Sequence, residues 1–376
     1  WSLLVGRGRP AASGPPVDGA ERLTEAYLNR IATAVPPNDV HAKFVDYAPA
    51  LLSTDRDRRL FRRMVARSGI EHRYSSLVPD SDPQRLDAHG FFRRGRFPST
   101  GERMRRYEAD ALDLAARSVM ALEIDGVRDG ITHLIVTSCT GFYAPGLDLQ
   151  LAARFGLDPS VERTVIGFMG CYAAINALKL ARHIVRSQPS ALVLVLNLEL
   201  CTLHLQETAD LEQVLSFLIF ADGCAAALVS AEPEGIELQS FRAVLLPDSA
   251  DQITWTIGDS GFDMILSGRV PQTLLHGLPR HRRAVLGERR VEDIALWAVH
   301  PGGRTVLDAV EQGLALNQGD LAHSRAVLRR YGNMSSATVM FVLKEMLDSP
   351  TARGQGCAIA FGPGLTAETM LFETVH

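Results

Sequence analysis

The hydrophobic positions of this chain follow one pattern before about residue 130 and another after it. Between residues 21 and 120, apolar side chains recur at helical spacing, most clearly at 21–35 and 103–122. Ser99, followed by Glu102, precedes the second of these stretches and has the spacing of a helix N-terminal cap. The first third of the chain is therefore predicted to be mainly helical.

From residue 131 onward, short apolar runs without alternation are followed by stretches of helical spacing, for example at 305–316 and 335–347. Such runs predict strands that are covered on both faces by helices. The predicted strands lie at 131–137, 161–168, 191–196, 225–229, 294–299, 357–361 and 369–372. Because the pattern recurs, the chain is predicted to contain two α/β halves of similar layout, 21–240 and 241–376, preceded by an arm at 1–20.

Composition narrows the class of protein. The chain has 376 residues, is 46% hydrophobic and carries a net charge of −4, so its overall charge does not suggest nucleic-acid binding. No apolar run reaches the ~18 residues that a membrane helix needs. The five cysteines are scattered without a C-x-x-C pair, which argues against a disulfide framework or a metal site and favours a reducing compartment such as the cytoplasm. The arm lacks the apolar core of a signal peptide and is expected to be disordered or expression-derived.

Cys171 lies where a predicted strand meets a predicted helix. The run 161–168 leads through Gly170 to this cysteine, and a small-residue stretch of helical spacing follows at 172–181. A thiol in the first turn of a helix lies at the positive end of the helix dipole, which favours the nucleophilic thiolate. Cys171 is therefore a candidate nucleophile.

Two further polar residues have the same setting. His300 follows the predicted strand 294–299 in the sequence HPGG, and Asn333 lies in the sequence YGNMSSA; both precede stretches of helical spacing. Polar groups between strand ends and helix N-termini commonly form the sites of α/β proteins.

These residue types suit acyl transfer. A cysteine can hold an acyl group as a thioester, and a histidine within hydrogen-bonding reach can activate its thiolate as an ion pair. His300 and the Asn333 amide can both donate hydrogen bonds to a carbonyl oxygen and so stabilise the enolate formed when a malonyl thioester loses carbon dioxide.

The segments around Cys171, His300 and Asn333, followed by FGPG at 361–364, resemble the type III polyketide synthases of the chalcone and stilbene synthase superfamily over about residues 21–376. The resemblance implies an α/β thiolase-like fold of two similar halves in αβαβα layers, with the Cys-His-Asn site between them, and a homodimer. It also implies that malonyl-CoA and an acyl-CoA starter are substrates, Cys171 being the acyl carrier and His300 with Asn333 the decarboxylation and oxyanion pair. No cofactor or metal is implied.

The resemblance extends to the substrate entrance. Phe220 matches the gatekeeper phenylalanine between the coenzyme A tunnel and the cavity, and Arg63 and Arg67 match two of three basic residues that hold coenzyme A phosphates. Leu60 occupies the third position, so part of that contact is expected from elsewhere.

The cavity lining differs from that of plant chalcone synthases. His204 replaces a small polar residue, Ala144 replaces a bulkier residue that reaches across the dimer interface, and Trp255 replaces a glycine, where it is expected to obstruct the pocket for coumaroyl chains. The small side chains of Ala144 and Cys139 are expected to leave room for the substrate cavity to extend in another direction. Further cavity residues are expected to be Met264, Gly362 and Pro363.

The stretch 255–261 is similar to that of bacterial alkylpyrone and alkylresorcinol synthases, so a fatty acyl-CoA starter and a pyrone or resorcinol product are expected. A phloroglucinol-type, malonyl-only synthase remains an alternative because TSCTGF at 137–142 is also found there. A condensing enzyme of fatty-acid initiation (3-oxoacyl-ACP synthase type) is less well matched, since its histidine motif continues with Gln-Ala-Asn. A catalytically silent scaffold of the thiolase fold is the alternative from another class.

Overall fold

The computed structural model describes residues 24–375, so the predicted arm at 1–20 lies outside the described residues. The strands of this range are β1 (Tyr27–Ala34), β2 (Asn38–Asp39), β3 (Tyr74–Ser75), β4 (Ile131–Ser138), β5 (Glu162–Gly167), β6 (Leu192–Leu200), β7 (Asp222–Ser230), β8 (Gly235–Leu245), β9 (Ile253–Gly258), β10 (Gly261–Leu266), β11 (Leu296–Val299), β12 (Gln355–Gly362) and β13 (Thr366–Val375). The helices are α1 (His41–Tyr47), α2 (Asp55–Ser68), α3 (Thr100–Ala121), α4 (Leu147–Phe155), α5 (Ala173–Ser187), α6 (Leu211–Ile219), α7 (Val270–Arg280), α8 (Arg282–Leu286), α9 (Arg304–Gly313), α10 (Ala322–Tyr331) and α11 (Thr338–Leu347).

The large sheet has nine strands in the order β11-β12-β13-β8-β1-β7-β6-β4-β5. The two halves of the sheet meet where β1 pairs with β8, through Tyr27 with Glu237 and Leu28 with Ile236. Each half has parallel pairing at its outer edge, β4 with β5 and β11 with β12, and antiparallel pairing toward the junction. This repeated layout confirms the predicted α/β fold of two similar halves. The predicted boundary after residue 240 falls within β8.

Three large clusters of buried apolar side chains pack between the layers of helices and strands. The central core is built from the buried faces of α5 and α11 between the sheet strands of the two halves. A second core lies under α3 and α4 on the N-terminal half, and a third lies under α7, α9 and α10 on the C-terminal half. The central helices α5 and α11 therefore have sheet on both sides, as in the αβαβα arrangement expected of a thiolase-like fold. No helix of residues 24–375 is long and apolar enough to cross a bilayer.

The prediction of a helix at 21–35 was wrong for the residues that the structure describes. Residues Tyr27–Ala34 form strand β1, which pairs with β7 along most of its length and with β8 at its start. The apolar spacing of this segment fits either structure, and the backbone hydrogen bonds offered by two neighbouring strands favour the extended form.

The structure confirms a strand within 161–168, but the prediction that both of its faces are covered was wrong. Strand β5 lies at the end of the sheet, pairs with β4 alone among the described strands, and is largely exposed, with Val165 51% exposed. The apolar composition that suggested burial therefore belongs to an open sheet edge. By contrast, the predicted cap of α3 is confirmed, because Ser99 and Glu102 form a capping box.

Candidate active site

The nucleophile turn joins the edge strand β5 to the buried helix α5. The backbone has positive φ at Phe168 (54°) and Gly170 (75°), and a single 3-10 turn, Gly170–Tyr172, then leads into α5. A Cβ atom on Gly170 would lie 2.5 Å from the Cδ atom of Pro363, so both the conformation and the close approach require glycine here. Cys171 is thus held at the start of α5, as predicted.

Asn333 is held by the segment that carries Phe220. Its N–H donates to the carbonyl of Ile219 (2.8 Å), and its carbonyl accepts from the N–H of Ala221 (2.9 Å). Its Oδ1 atom accepts from the N–H of Ser335 (2.8 Å), and the Sγ atom of Cys171 donates to the Ser335 hydroxyl (3.7 Å). The predicted nucleophile and the predicted oxyanion residue therefore belong to one hydrogen-bonded group.

His300 follows the end of β11, where its N–H donates to the carbonyl of Ile359 (2.8 Å). The side chain is 1% exposed, and neither ring nitrogen has a hydrogen-bond partner among the described residues. The HPGG turn connects it to Asn333, whose Nδ2 atom donates to the carbonyl of Gly302 (3.5 Å). A buried ring with unused nitrogens in such a setting is available to a ligand.

The expected thiolate–imidazolium pair is not formed in this structure. Burial lowers the pKa of His300 to about 3, so the ring is neutral at neutral pH. Burial raises the pKa of the Cys171 thiol to about 12; a hydrogen bond to Ser335 lowers it, the charge of Glu199 raises it, and a hydrogen bond with Asn333 lowers it. A neutral imidazole can accept the proton of a thiol that comes within hydrogen-bonding reach, and it can donate its N–H to a carbonyl oxygen.

Phe220 packs against the predicted cavity residues. It forms a small apolar cluster with Cys201 and Met264, and Trp255 packs against the same cluster. Phe220 also makes an isolated bridge to Asn333. The predicted gate therefore pairs directly with the predicted oxyanion residue Asn333, and it also contacts the predicted cavity residues Met264 and Trp255.

Cys139, Trp255 and His204, which are predicted to line the cavity, each take part in hydrogen bonds within the protein. The Cys139 thiol accepts from the N–H of Gly170 (3.0 Å), and its carbonyl accepts from the Trp255 indole (2.7 Å). His204 is fully buried; its Nε2 donates to the carbonyl of Thr140 (2.7 Å), while its Nδ1 accepts from the N–H of Phe262 (3.0 Å). Both nitrogens of His204 are used, so it offers no free polar atom to a substrate.

The remaining predicted site residues lie at the end of β12, on the loop after β4 and on α2. The Gly362–Pro363 loop packs on the nucleophile turn, since a Cβ on Gly362 would lie 3.5 Å from the N atom of Cys171. Ala144 is exposed on the loop after β4. Arg63 and Arg67 are exposed on α2, whose end contacts the start of α9 through the Arg304 guanidinium and the Arg67 carbonyl (3.3 Å). The expectation that Cys139 and Ala144 allow the substrate cavity to extend in another direction stays a prediction.

Sequence reasoning missed two features of the site. Glu199 is fully buried and accepts hydrogen bonds from the N–H of Cys139 (2.9 Å) and from the hydroxyls of Thr140 (2.8 Å) and Ser336 (2.5 Å). Burial raises its pKa to about 7. Its signal in the sequence was a single acidic residue within the apolar strand LVLVLNLEL. The second feature is Ser335, which has a positive φ of 47° and no local signal beyond its place in YGNMSSA.

The chain matches two family models that together cover nearly its whole length. Residues 20–233 match the N-terminal domain of chalcone and stilbene synthases, and residues 237–376 match the C-terminal domain of the same proteins. Among solved structures, the type III polyketide synthase domain of Steely1 from Dictyostelium has the same fold, with a TM-score of 0.85 at 22% identity over 94% of this chain and 100% of that chain. PKS-I from the brown alga Ectocarpus siliculosus has a TM-score of 0.83 at 28% identity over 95% and 100%.

Curated relatives agree with this match. The alpha-pyrone synthesis polyketide synthase-like Pks18 of Mycobacterium tuberculosis is 33% identical over 372 residues, covering 94% of this chain and 92% of that protein. Bisdemethoxycurcumin synthase of Oryza sativa subsp. japonica is 32% identical over 377 residues, covering 91% of each. The chain therefore belongs to the chalcone and stilbene synthase family, the type III polyketide synthases, which are acyl-transferring condensing enzymes.

Proposed function

We propose that the protein extends an acyl-CoA starter, held as a thioester on Cys171, by repeated decarboxylative condensation with malonyl-CoA. The observation that carries the proposal is the placement of a thiol at the start of α5 beside Ser335 and Asn333. The Asn333 amide donates to Gly302 in the turn that begins with His300, whose buried ring has no hydrogen-bond partner within residues 24–375. Each of these groups has a role in the reaction, and coenzyme A thioesters serve as substrates without a further cofactor.

In the proposed reaction, Cys171 gives its proton to His300 and its thiolate attacks the carbonyl carbon of the starter. The coenzyme A thiolate that is expelled takes this proton from the His300 imidazolium, so the ring is neutral again. Malonyl-CoA then loses carbon dioxide. The enolate oxygen that results accepts hydrogen bonds from His300 and the Asn333 amide, which lowers the barrier to decarboxylation. The enolate carbon attacks the thioester on Cys171, and the chain passes to the incoming coenzyme A.

We propose a fatty acyl starter and a pyrone- or resorcinol-type product. The Trp255 indole donates to the carbonyl of Cys139 and packs beside Met264 and Phe220, so bulk occupies the side of the cavity expected to take a coumaroyl ring. The printed name of the Mycobacterium relative, a protein of alpha-pyrone synthesis, is consistent with this product class.

Arg63 and Arg67 are proposed to contact coenzyme A phosphates. They lie four residues apart on α2, are exposed, and so share one face of the helix. Phe220 is proposed to separate this entrance from the cavity.

The test is a panel of acyl-CoA starters, from acetyl to palmitoyl and including coumaroyl, each incubated with malonyl-CoA and analysed by mass spectrometry. The proposal predicts pyrones or resorcinols from medium- or long-chain starters and little product from coumaroyl-CoA. Product from malonyl-CoA alone, or from coumaroyl-CoA in preference to fatty acyl-CoA, would contradict the proposed starter. A matched Trp255→Gly variant should gain coumaroyl turnover if the indole is the obstruction.

A further inference from the structure

Helix α2 carries a stripe of exposed arginines that extends beyond the pair proposed to hold coenzyme A phosphates. Arg56, Arg59, Arg63 and Arg67 are spaced three or four residues apart, so they lie on one face of the helix. At 1.5 Å per residue, the stripe is about 16 Å long. Its outer half, Arg56 and Arg59, has no role in the proposed reaction.

The stripe has no counter-ion within residues 24–375. The ion pair on α2 joins Asp55 to Arg58 (2.7 Å), and neither residue belongs to the stripe. Like charges three and four residues apart repel each other and destabilise a helix. An acidic surface that lies along α2 relieves this repulsion, so the stripe is suited to a partner with several carboxylates rather than to one small anion.

Apolar side chains border the stripe. Leu60 and Met64 lie beside it, one helical turn apart, and Met64 is 39% exposed. Leu60 occupies the position where the family resemblance expects a third basic residue for coenzyme A phosphates, so it offers an apolar contact there instead. Arginine and methionine are both enriched at protein interfaces. The mixture of charged and apolar side chains therefore favours a protein as the partner.

The inner end of the stripe adjoins the candidate active site. The carbonyl of Arg67 accepts from the guanidinium of Arg304 (3.3 Å), the first residue of α9, which directly follows the HPGG turn of His300. Arg73, a few residues after α2, donates to the carbonyl of Phe220 (2.6 Å). A partner bound along α2 therefore lies beside the entrance that Phe220 is proposed to guard.

We propose that α2 docks an acidic acyl carrier protein, which delivers the starter on a phosphopantetheine arm. Coenzyme A presents the same arm, so the arm can pass Phe220 while the carrier stays outside on the stripe. The Cys171 thiolate then forms a thioester with the acyl carbon, and the carrier's carbon–sulfur bond breaks. The carrier thiol leaves with the proton that Cys171 gave to His300. This inference rests on the proposed acyl transfer to Cys171 and adds a second donor for it.

Binding tests the docking surface without the reaction. The probe is an acyl carrier protein of the fatty-acid type, bearing phosphopantetheine but no acyl group and immobilised for biolayer interferometry with the wild-type enzyme. We expect saturable binding that weakens at least about tenfold between about 50 mM and about 300 mM salt, because opposite surface charges are screened. The absence of saturable binding at the lower salt concentration would overturn the proposal.

Charge reversal identifies the face of α2. The double variant Arg56→Glu with Arg59→Glu should weaken carrier binding at least about tenfold, because each glutamate faces a carboxylate of the carrier. Acidic residues suit the start of a helix, so the fold should be retained. The variant's kcat/KM with octanoyl-CoA should stay within about twofold of wild type, since neither arginine is proposed to contact coenzyme A.

The matched control is the double variant Arg282→Glu with Arg289→Glu. Both arginines are exposed and form no ion pair within the described range, and they lie on and just after α8, which packs on β8 and β13. Equal losses of carrier binding in the two double variants would overturn the proposal. So would binding to phosphatidylglycerol vesicles that depends on Arg56 and Arg59 while carrier binding does not, because the stripe would then face a membrane.

Turnover separates this inference from the proposed function. Octanoyl carrier protein and octanoyl-CoA are each supplied with malonyl-CoA, and the products are compared by mass spectrometry. Product from both donors, reduced at least about tenfold in kcat/KM for the carrier alone by the Arg56 and Arg59 substitutions, would support it. Product from octanoyl-CoA alone would overturn the carrier as donor and leave the proposed function standing. Failure with both donors would contradict the proposed starter, and the binding measurement would still decide the docking surface.

Discussion

Cys171 is subject to opposing influences on its ionisation. The start of α5 favours a thiolate, but burial and the nearby charge of Glu199 raise the thiol pKa, and His300 is neutral and forms no bond with it. In the free enzyme the thiol is therefore expected to be protonated at neutral pH. In the proposed reaction, the thiolate forms when Cys171 gives its proton to His300.

The pH dependence of alkylation tests this state. Without substrate, the rate of Cys171 modification by iodoacetamide should be low near pH 7 and rise about tenfold per pH unit toward pH 10, because the thiolate is the reacting species. The rate is followed by peptide mass spectrometry, with Cys201 in the same samples as a buried reference thiol. A fast rate that does not change between about pH 6 and pH 9 would show a standing ion pair instead.

Glu199 gives the site a second dependence on pH. Its pKa rises from 4.5 to about 7 on burial, so the folded chain holds this proton more tightly than the unfolded chain. The associated stability is complete below about pH 4.5 and is lost as the pH rises to about 7, with an upper bound on the order of 3 kcal/mol. Urea unfolding at pH 5 and pH 8 should therefore show a smaller loss of stability in Glu199→Gln than in wild type. Equal losses would contradict the assignment.

At the scale of elements, α3 is an example of structure specified locally. The Ser99 hydroxyl and the Glu102 carboxylate satisfy each other's backbone N–H groups at the helix start. Ser99→Ala should reduce the free energy of unfolding by about 1 kcal/mol, because the N–H of Glu102 loses the side-chain oxygen that accepts its hydrogen bond. Ser99→Thr keeps the acceptor and should stay close to wild type. Denaturant titrations that do not separate Ala from Thr at this position would rule out the cap as a stabilising feature.

Elements defined by distant neighbours were harder to predict. Residues 27–34 have spacing that suits a helix, and only the pairing of β1 with β7 and β8 makes them a strand. The run ending at Gly167 is apolar enough for a buried strand, yet its place at the end of the sheet leaves it exposed. Local caps and periodicity are readable from sequence, whereas strand order depends on residues far away in the chain.

The features of the site also divide into those that a local motif predicts and those that depend on contacts between distant segments. Cys171, His300 and Asn333 could be proposed because each follows or precedes a recognisable element and carries a local motif. The Ser335 hydroxyl beside the thiol, and the lack of a hydrogen-bond partner for His300 in the part of the chain that the structure describes, could not be proposed. Both depend on the distances between segments that are remote in sequence.

At the scale of the whole molecule, strand β5 leaves one edge of the sheet open. Val165 is 51% exposed on this edge, and Phe142 is 37% exposed and packs against Phe168 just beyond the end of β5. An open edge that carries apolar side chains is a template for pairing with a second chain. We propose that two copies of this chain associate through β5.

Light scattering on the purified protein should therefore give the mass of a dimer, and Val165→Asp should shift it toward the monomer. Leu245→Asp is the matched control, because Leu245 is 65% exposed on β8, which four strands separate from β5 in the sheet. A monomeric wild type, or equal effects of the two substitutions, would contradict association through β5.

Cys171 is proposed to carry the growing chain. Incubation of the enzyme with a fatty acyl-CoA in the absence of malonyl-CoA, followed by tryptic mapping and mass spectrometry, measures this directly. We expect one acyl adduct, on the peptide that contains Cys171, and none in Cys171→Ala. An adduct on Cys139, Cys201 or another residue, or no adduct on a folded wild-type enzyme that forms product, would contradict it.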